Sequence, residues 1–420
     1  MRISTTEFFL GTLNDMLAQE ANVSKLNQQI ASGQSVVDAT DNPTAAAAVL
    51  DTSNQIDQIS ANVQNAQAVS STMNETLSVL NQVDNLLNQV QSTALQGATA
   101  TSSAADRQAL ASSVQGSLQE LVQLGNTQLS NGQYIFAGSQ STNAPFQLTP
   151  TGQVVFKGDG GVDKIEIGPS LQVPVAVSGQ SVFMQVPDGN GSFAVLASGT
   201  NTGTGVAALG GVLNSTLVSS EHLANTQFEV SFSAGAGGSL NYAVVSGTGA
   251  PGSSGFSATS GTVASGTYNS SSAALSFGGM DITFSGTPAV GDNFTLRTSQ
   301  TTSAFQALQN VIAALQAPVD GASGTRARAD QMIQDALATL NQVHTSVLSA
   351  EASLGTSLSE IHAVQSQDNT VSTTDQANLA GIQSASLPDV MTRFSEGVTA
   401  LQAAQAAFGK ISGLSLFNYI

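Results

Sequence analysis

The chain has 420 residues, a formal net charge of −18 with only 10 Lys and Arg, 41% hydrophobic residues, and neither Cys nor Trp. That length leaves room for more than one compact domain, and the hydrophobic content excludes wholesale disorder. The scattered basic residues exclude a phosphate-neutralising patch, and so nucleic acid as a partner; the absence of Cys excludes disulfides, thiolate chemistry and Cys-ligated zinc.

The N-terminal stretch "MRISTTEFFLGTLNDMLAQE" lacks the apolar run of a secretory signal, so no cleaved signal peptide is expected. No apolar run approaches the ~20 residues of a membrane helix, so a soluble chain without membrane insertion is expected. Phe8, Phe9, Leu10, Leu13 and Leu17, then Val23, Leu26 and Ile30, mark a first helix. Gly33 suits the left-handed position that ends it; Asn42 suits the cap of the next helix and Pro43 its first turn.

Ile59, Ala66, Met73, Leu80, Leu87 and Ala94 then recur every seven residues. Ile56, Val63 and Leu77 mark a second seam, interrupted by Ser70 and Asp84. Such a repeat keeps one stripe of a helix on one partner. A third helix is expected over Ala104 to Leu129.

From about residue 131 the pattern changes: most of the 40 glycines lie before residue 301. "QFEVSFSA", "LNYAVVSG", "AALSFGGMDITFSG" and "NFTLRTS" alternate apolar and polar residues as half-buried strands do. "GTNTGTGVAALGG" and "SGTGAPGSSG" read as surface loops.

After residue 301 the heptads return. Ile333, Leu340, Val347, Leu354 and Ile361 form one seam; Leu337, His344, Glu351 and Leu358 form the other. "QSQDNTVSTTDQ" reads as a polar break. Leu387, Met391, Phe394, Val398, Leu401 and Phe408 form a last stripe, with Pro388 marking either a first helical turn or a break. Leu414, Leu416, Phe417, Tyr419 and Ile420 follow it. Large apolar groups are unusual at a chain end, and at both ends they suggest helices completed by another molecule.

Chemistry-bearing residues are sparse. His222, His344 and His362 form no metal-ligand spacing, and His344 reads as a polar seam residue. "PDGNGS" (187–192) resembles the opening of a calcium loop but lacks its closing Glu, and reads as a turn. "KGDGGVD" (157–163) has no phosphate-loop spacing and reads as a hairpin loop. No nucleophile is paired with a base, so neither enzymatic activity nor any cofactor or metal is expected.

The expected fold class is α+β: an antiparallel helical coiled-coil rod built from both termini, with an inserted β-rich domain. The expected divisions are 1–135, 136–300 and 301–420.

"LNQQIASGQSVVDATDNPTAAAAV" (26–49) resembles the N-terminal signature of bacterial flagellins and their relatives. Asn42 stands where an acid is usual, and Gln34 and Ser35 where a basic pair is common. "MRIST", "NGQYIFAGSQSTNAPF" (131–146) and the ending "LQAAQAAFGKISGLSLFNYI" are similar to the hook-filament junction branch of that superfamily. "VPVAVSGQSVF" (173–183) and "GTPAVGDNFTL" (286–296) are weaker echoes, and 194–285 carries little of the resemblance.

The resemblance implies a structural part of the extracellular flagellum, exported by the flagellar type III apparatus without a cleaved signal. It implies a ring of copies of the chain between another hook-associated protein and flagellin, and an export chaperone on the C-terminal helix. The interface residues it points to are Phe8, Phe9, Leu10, Leu13 and Leu17 at one end, and Phe394, Leu401, Phe408, Leu414, Leu416, Phe417, Tyr419 and Ile420 at the other. A flagellin-like filament subunit and an adhesive β domain on a helical stalk are the alternatives.

Overall fold

A computed structural model describes residues 5–36, 40, 42–169, 171–248, 257–270 and 274–413. The order is helices, strands, helices. The helices α1 (Thr5–Ser32), α2 (Pro43–Gly97) and α3 (Ala104–Gly125) precede the strands; α5 (Ala304–Gln316), α6 (Ser323–Gln383) and α7 (Leu387–Gly413) follow them, and a short α4 (Ser215–Leu223) lies among them. The fold is therefore α+β, with terminal helices and an inserted antiparallel β region.

The chain divides into two compact units. One comprises 1–66, 167–169 and 362–420; the other comprises 67–166 and 170–361. α2 and α6 contribute residues to both.

In the larger unit, α2 and α6 run antiparallel, joined by Gln91 Nε2 to Asn341 Oδ1 at 3.3 Å and by His344 Nδ1 to Asp84 Oδ1 at 2.8 Å. His344 thus occupies a polar level of the helix seam. Burial pushes the nearby Glu351 carboxyl up, with Asp84 adding to the rise and His344 opposing it. The heptads Ala66 to Ala94 and Ile333 to Ile361 are buried. The second row of α2 lies one residue earlier than the spacing suggests: Val69, Thr76, Val83 and Val90 are buried, whereas Leu77 and Asp84 are half-buried. A helix covered on more than one side buries a wider face than a two-helix seam requires.

α3 starts with a capping box. The Ser103 side chain accepts from Asp106 N, and the Asp106 carboxylate accepts from Ser103 N at 3.1 Å. The helix ends at Gly125, short of Leu129. There the Asn126 amide turns back, donating to Phe146 O at 2.7 Å and accepting from Phe146 N at 2.9 Å. Arg107, fully buried in the first turn of α3, donates to Gly97 O at 2.8 Å, Ala314 O at 2.7 Å and Leu315 O at 3.3 Å. One guanidinium therefore serves the carbonyl ends of α2 and α5, where helix dipoles favour a cation. Asp330 of α6 lies 3.7 Å away.

The strands are β1 (Phe146–Leu148), β2 (Val154–Phe156), β3 (Lys164–Gly168), β4 (Leu171–Pro174), β5 (Val186–Pro187), β6 (Phe193–Ala197) and β7 (Val206–Val212). After α4 come β8 (Gln227–Ala234), β9 (Leu240–Thr248), β10 (Ser257–Thr267), β11 (Ala274–Phe277), β12 (Met280–Ser285), β13 (Asn293–Thr298) and β14 (Thr301–Thr302). A five-stranded antiparallel sheet, β10-β9-β8-β13-β6, faces a three-stranded one, β11-β12-β7. Their inner faces share one core, in which Phe232 meets Phe284 edge-on at 5.3 Å and Phe294 meets Phe284 at 4.9 Å. Gly278 and Gly279 both take positive φ and close the β11–β12 hairpin, which demands the left-handed region at both turn positions.

Three expectations give way. "GTNTGTGVAALGG" is not all loop: its second half is β7, whose small residues pair with β12, Ala207 lying opposite Phe284. "KGDGGVD" does not close a hairpin, because β2 pairs with β1 and β3 with β4. "QSQDNTVSTTDQ" is no break, because α6 runs through it. Thr370, Thr373 and Thr374 donate to carbonyls one turn back, which satisfies hydroxyls that would otherwise compete with the helix. "SGTGAPGSSG" lies mostly outside the described residues.

Replacing Arg107 with Met is expected to destabilise the larger unit by about 3–5 kcal/mol, because three helix-end carbonyls lose their buried donor and Asp330 loses a nearby cation. A urea midpoint on the purified chain measures this; a change below about 1 kcal/mol contradicts the assigned role.

Candidate assembly interface

The terminal helices meet in the smaller unit. α1 and α7 are antiparallel: Gln19 Nε2 donates to Gly397 O at 3.3 Å, and Ala385 N donates to Gly33 O at 2.9 Å. Gly33 adopts φ 69°, the left-handed conformation that ends α1. The chain after it is tied to the α6–α7 turn, with Ser35 N donating to Gln383 O at 2.6 Å and Ser35 Oγ to Ile382 O at 2.8 Å. Asn42 Oδ1 accepts from Ala45 N at 3.1 Å, and Pro43 is the first residue of α2. Pro388 falls in the first turn of α7, where a missing N–H costs nothing.

The face that α1 turns to α7 holds Gln19, Val23 and Leu26. At Gly397 an added Cβ would lie 3.1 Å from Val23 Cγ2, so glycine lets the helices approach closely. At 100° per residue, Leu10, Leu13 and Leu17 fall on the opposite face. They are 54%, 36% and 54% exposed. Leu387 and Met391 of α7 are exposed as well. Phe394, Leu401 and Phe408 instead lie along the half-buried stripe of α7 that continues through Val390 and Gly397 toward α1. Val390 is buried and stands one residue off the spacing read from the sequence. Phe8 and Phe9 belong to α1, though their side chains lie outside the described residues. Leu414, Leu416, Phe417, Tyr419 and Ile420 lie outside them too.

α6 also changes character in this unit. The heptad position of Ile333, Leu340, Val347, Leu354 and Ile361 passes to Asp368 and Asp375, each with one carboxylate oxygen that has no hydrogen-bond partner. Burial pushes the Asp368 carboxyl up. A seam that trades isoleucine for half-buried carboxylate gains less from pairing. Both acids fall inside "QSQDNTVSTTDQ", the stretch whose composition reads as a polar break.

No group of His, Asp and Glu suited to a metal occurs among the described residues, and none of the described helices is long and apolar enough to cross a membrane. The carboxylate of Asp188 in "PDGNGS" is taken by Arg297 and by Gln300 N at 2.8 Å. The phrase "YIFAGS…PF" is core: Phe136 packs edge-on to Phe183 at 5.2 Å, and Phe146 lies 4.9 Å from Phe305.

Residues 3–141 match the family model of the bacterial flagellin N-terminal helical region. Flagellar hook-associated protein 3 of Escherichia coli (strain K12) is 29% identical over 217 residues, covering 47% of this chain and 65% of that protein. The Salmonella typhimurium (strain LT2) protein of the same name is 30% identical over 158 residues, covering 36% and 48%. The chain thus spans less than two thirds of the length of these curated relatives. The crystal structure of flagellar hook associated protein-3 from Legionella pneumophila superposes with a TM-score of 0.70 at 28% identity, covering 79% of this chain and 98% of that one. Sequence signature, terminal helices and inserted β region agree, and in sequence and in fold the chain is similar to flagellar hook-associated protein 3, with an N-terminal region matching that of bacterial flagellins.

Proposed function

We propose that this protein is a structural component of the bacterial flagellum that joins the hook to the flagellin filament by packing its terminal helices on neighbouring subunits. The observation that carries the reading is the row Leu10, Leu13 and Leu17, exposed on the face of α1 turned away from α7. Apolar side chains arrayed along one helix face fit a groove on another helix. The likeness to hook-associated protein 3 supports the kind of neighbour: copies of the chain in a ring, another hook-associated protein on one side and flagellin on the other.

Low charge suits this arrangement. Like subunits repel when their net charge is concentrated where they meet. Here charged residues make up only 9% of the chain, and Ala and Gln keep the helices slim. The carboxylates Asp368 and Asp375 in the α6 seam are consistent with a terminal unit held less firmly and able to rearrange on assembly. Export through the flagellar type III apparatus without signal cleavage, with a chaperone on the C-terminal helix, completes the proposal. The role is mechanical rather than enzymatic.

Substituting Leu13 and Leu17 with Glu is expected to leave circular dichroism and the urea midpoint within about 1 kcal/mol of wild type, since both side chains are exposed. Motility and incorporation at the hook tip are expected to be lost; normal swimming would sink the assigned face. Deleting 414–420 is expected to leave the β-sandwich folded and abolish chaperone binding or junction assembly, measured by calorimetric titration and by electron microscopy of hook ends. Replacing Gly397 with Leu is expected to separate α1 from α7, seen as faster hydrogen exchange over residues 12–30.

A further inference from the structure

Within the larger unit the β-sandwich docks on one face of α6, and the docking is polar. Arg328, Gln331, Asp335, Thr339, Gln342 and Ser346 follow one another at three- and four-residue spacing, so they form a single stripe. Gln331 acts as a strand partner: its Oε1 accepts from Ala207 N at 2.6 Å and its Nε2 donates to Ala207 O at 2.8 Å. Thr339 Oγ1 accepts from Gly189 N at 3.3 Å, Ser346 Oγ donates to Val182 O at 3.0 Å, and Arg328 donates to Gly199 O. Each of these groups is neutral or donates as a cation to a carbonyl. Asp335 is the one acid in the stripe.

Asp335 stands between two cavities. One, of about 210 Å³, is lined by strands β6 and β13 and by α5; the other, of about 260 Å³, is lined by β7 and by Gln91 of α2. The Asp335 side chain receives one hydrogen bond, from Gln331 Nε2 at 2.7 Å. The charged groups facing it are Arg297 of β13 and Asp188 of the β5–β6 turn, and these are already paired with each other. α5 offers only the neutral Asn310, α2 only Gln91, and β7 no titratable group. A carboxylate here has one donor, a like charge nearby and a spoken-for arginine. The residue as a whole is half-buried and borders both cavities.

We propose that proton occupancy at Asp335 gates the joint between the β-sandwich and α6: the joint is tight with the carboxyl neutral and loosens when it ionises. Burial, the dominant cause, and the Asp188 charge push the group up to about 8, while Gln331 and Arg297 oppose the rise. The direction of the effect follows from linkage. A group whose docked-state value is raised favours docking at low pH, and that advantage falls as pH rises from the ordinary carboxylate range toward 8, then levels off.

The test is hydrogen–deuterium exchange on the full chain between pH 5.5 and 8.5, corrected for intrinsic exchange, read on peptides covering 206–212 and 331–342. Wild type is expected to lose protection there by about tenfold or more across the window, roughly one pH unit's worth of linkage, while peptides from α3 change less. Asp335→Asn is expected to hold its protection nearly constant. Equal pH dependence in the variant overturns the proposal. Should the variant misfold, carbon-13 chemical shifts of the wild-type Asp carboxyls decide: the proposal requires one carboxyl still protonated at pH 6.5, and titration of all of them below pH 5 overturns it.

Discussion

The larger unit depends on where Arg107 puts its charge. A cation in the first turn of a helix opposes that helix's own dipole, and burial further pushes the guanidinium down from its ordinary value. It is tolerated because its donors reach the carbonyl ends of α2 and α5, with Asp330 of α6 close by. Four helices are therefore referred to one planar group, and its fork geometry sets their mutual spacing. Gly97 leaves room at this point: an added Cβ would fall 2.1 Å from Leu315 Cδ2, and that side chain would have to shift.

Three kinds of surface follow from the placement of polar groups. The seam of α2 and α6 in the larger unit is apolar, broken by the Asp84–His344 pair at 2.8 Å. The docking of the β-sandwich on α6 is built from hydrogen bonds, which hold only in the right register because each unpaired buried group costs more than a made bond gains. The smaller unit is the least enclosed, with leucines exposed on α1 and carboxylates in the seam of α6. The gradation runs from a firmly packed seam to an incompletely covered one.

The phrase "YIFAGS…PF" acquires a physical reason from the aromatic cluster. Phe136, Phe146, Phe183 and Phe305 meet edge-on or tilted at 4.9 to 6.1 Å, drawing together the end of α3, the strands after it and α5. Gly125 and Gly179 make room, since a Cβ at either would strike Phe146. The phrase marks the passage from helices into the β region and belongs to the interior.

The sequence by itself determined the element types. Heptads, the absence of Pro from 44–144 and 319–387, and apolar alternation in "QFEVSFSA" and "NFTLRTS" each impose a period that only one kind of element satisfies. It also carried the turn chemistry of Gly33, Asn42 and Pro43, because these depend on backbone angles and one local hydrogen bond. What sets α1 against α7 was not legible: Leu10, Leu13 and Leu17 have the spacing of a core stripe and stand on the open face. Nor was the strand hidden in "GVAALGG", the continuity of α6 through "QSQDNTVSTTDQ", or the role of Arg107. Each of these rests on a partner distant in the chain or on hydroxyls bonding within a helix already formed. Local pattern specifies which face of an element is apolar; only the tertiary structure decides what covers it.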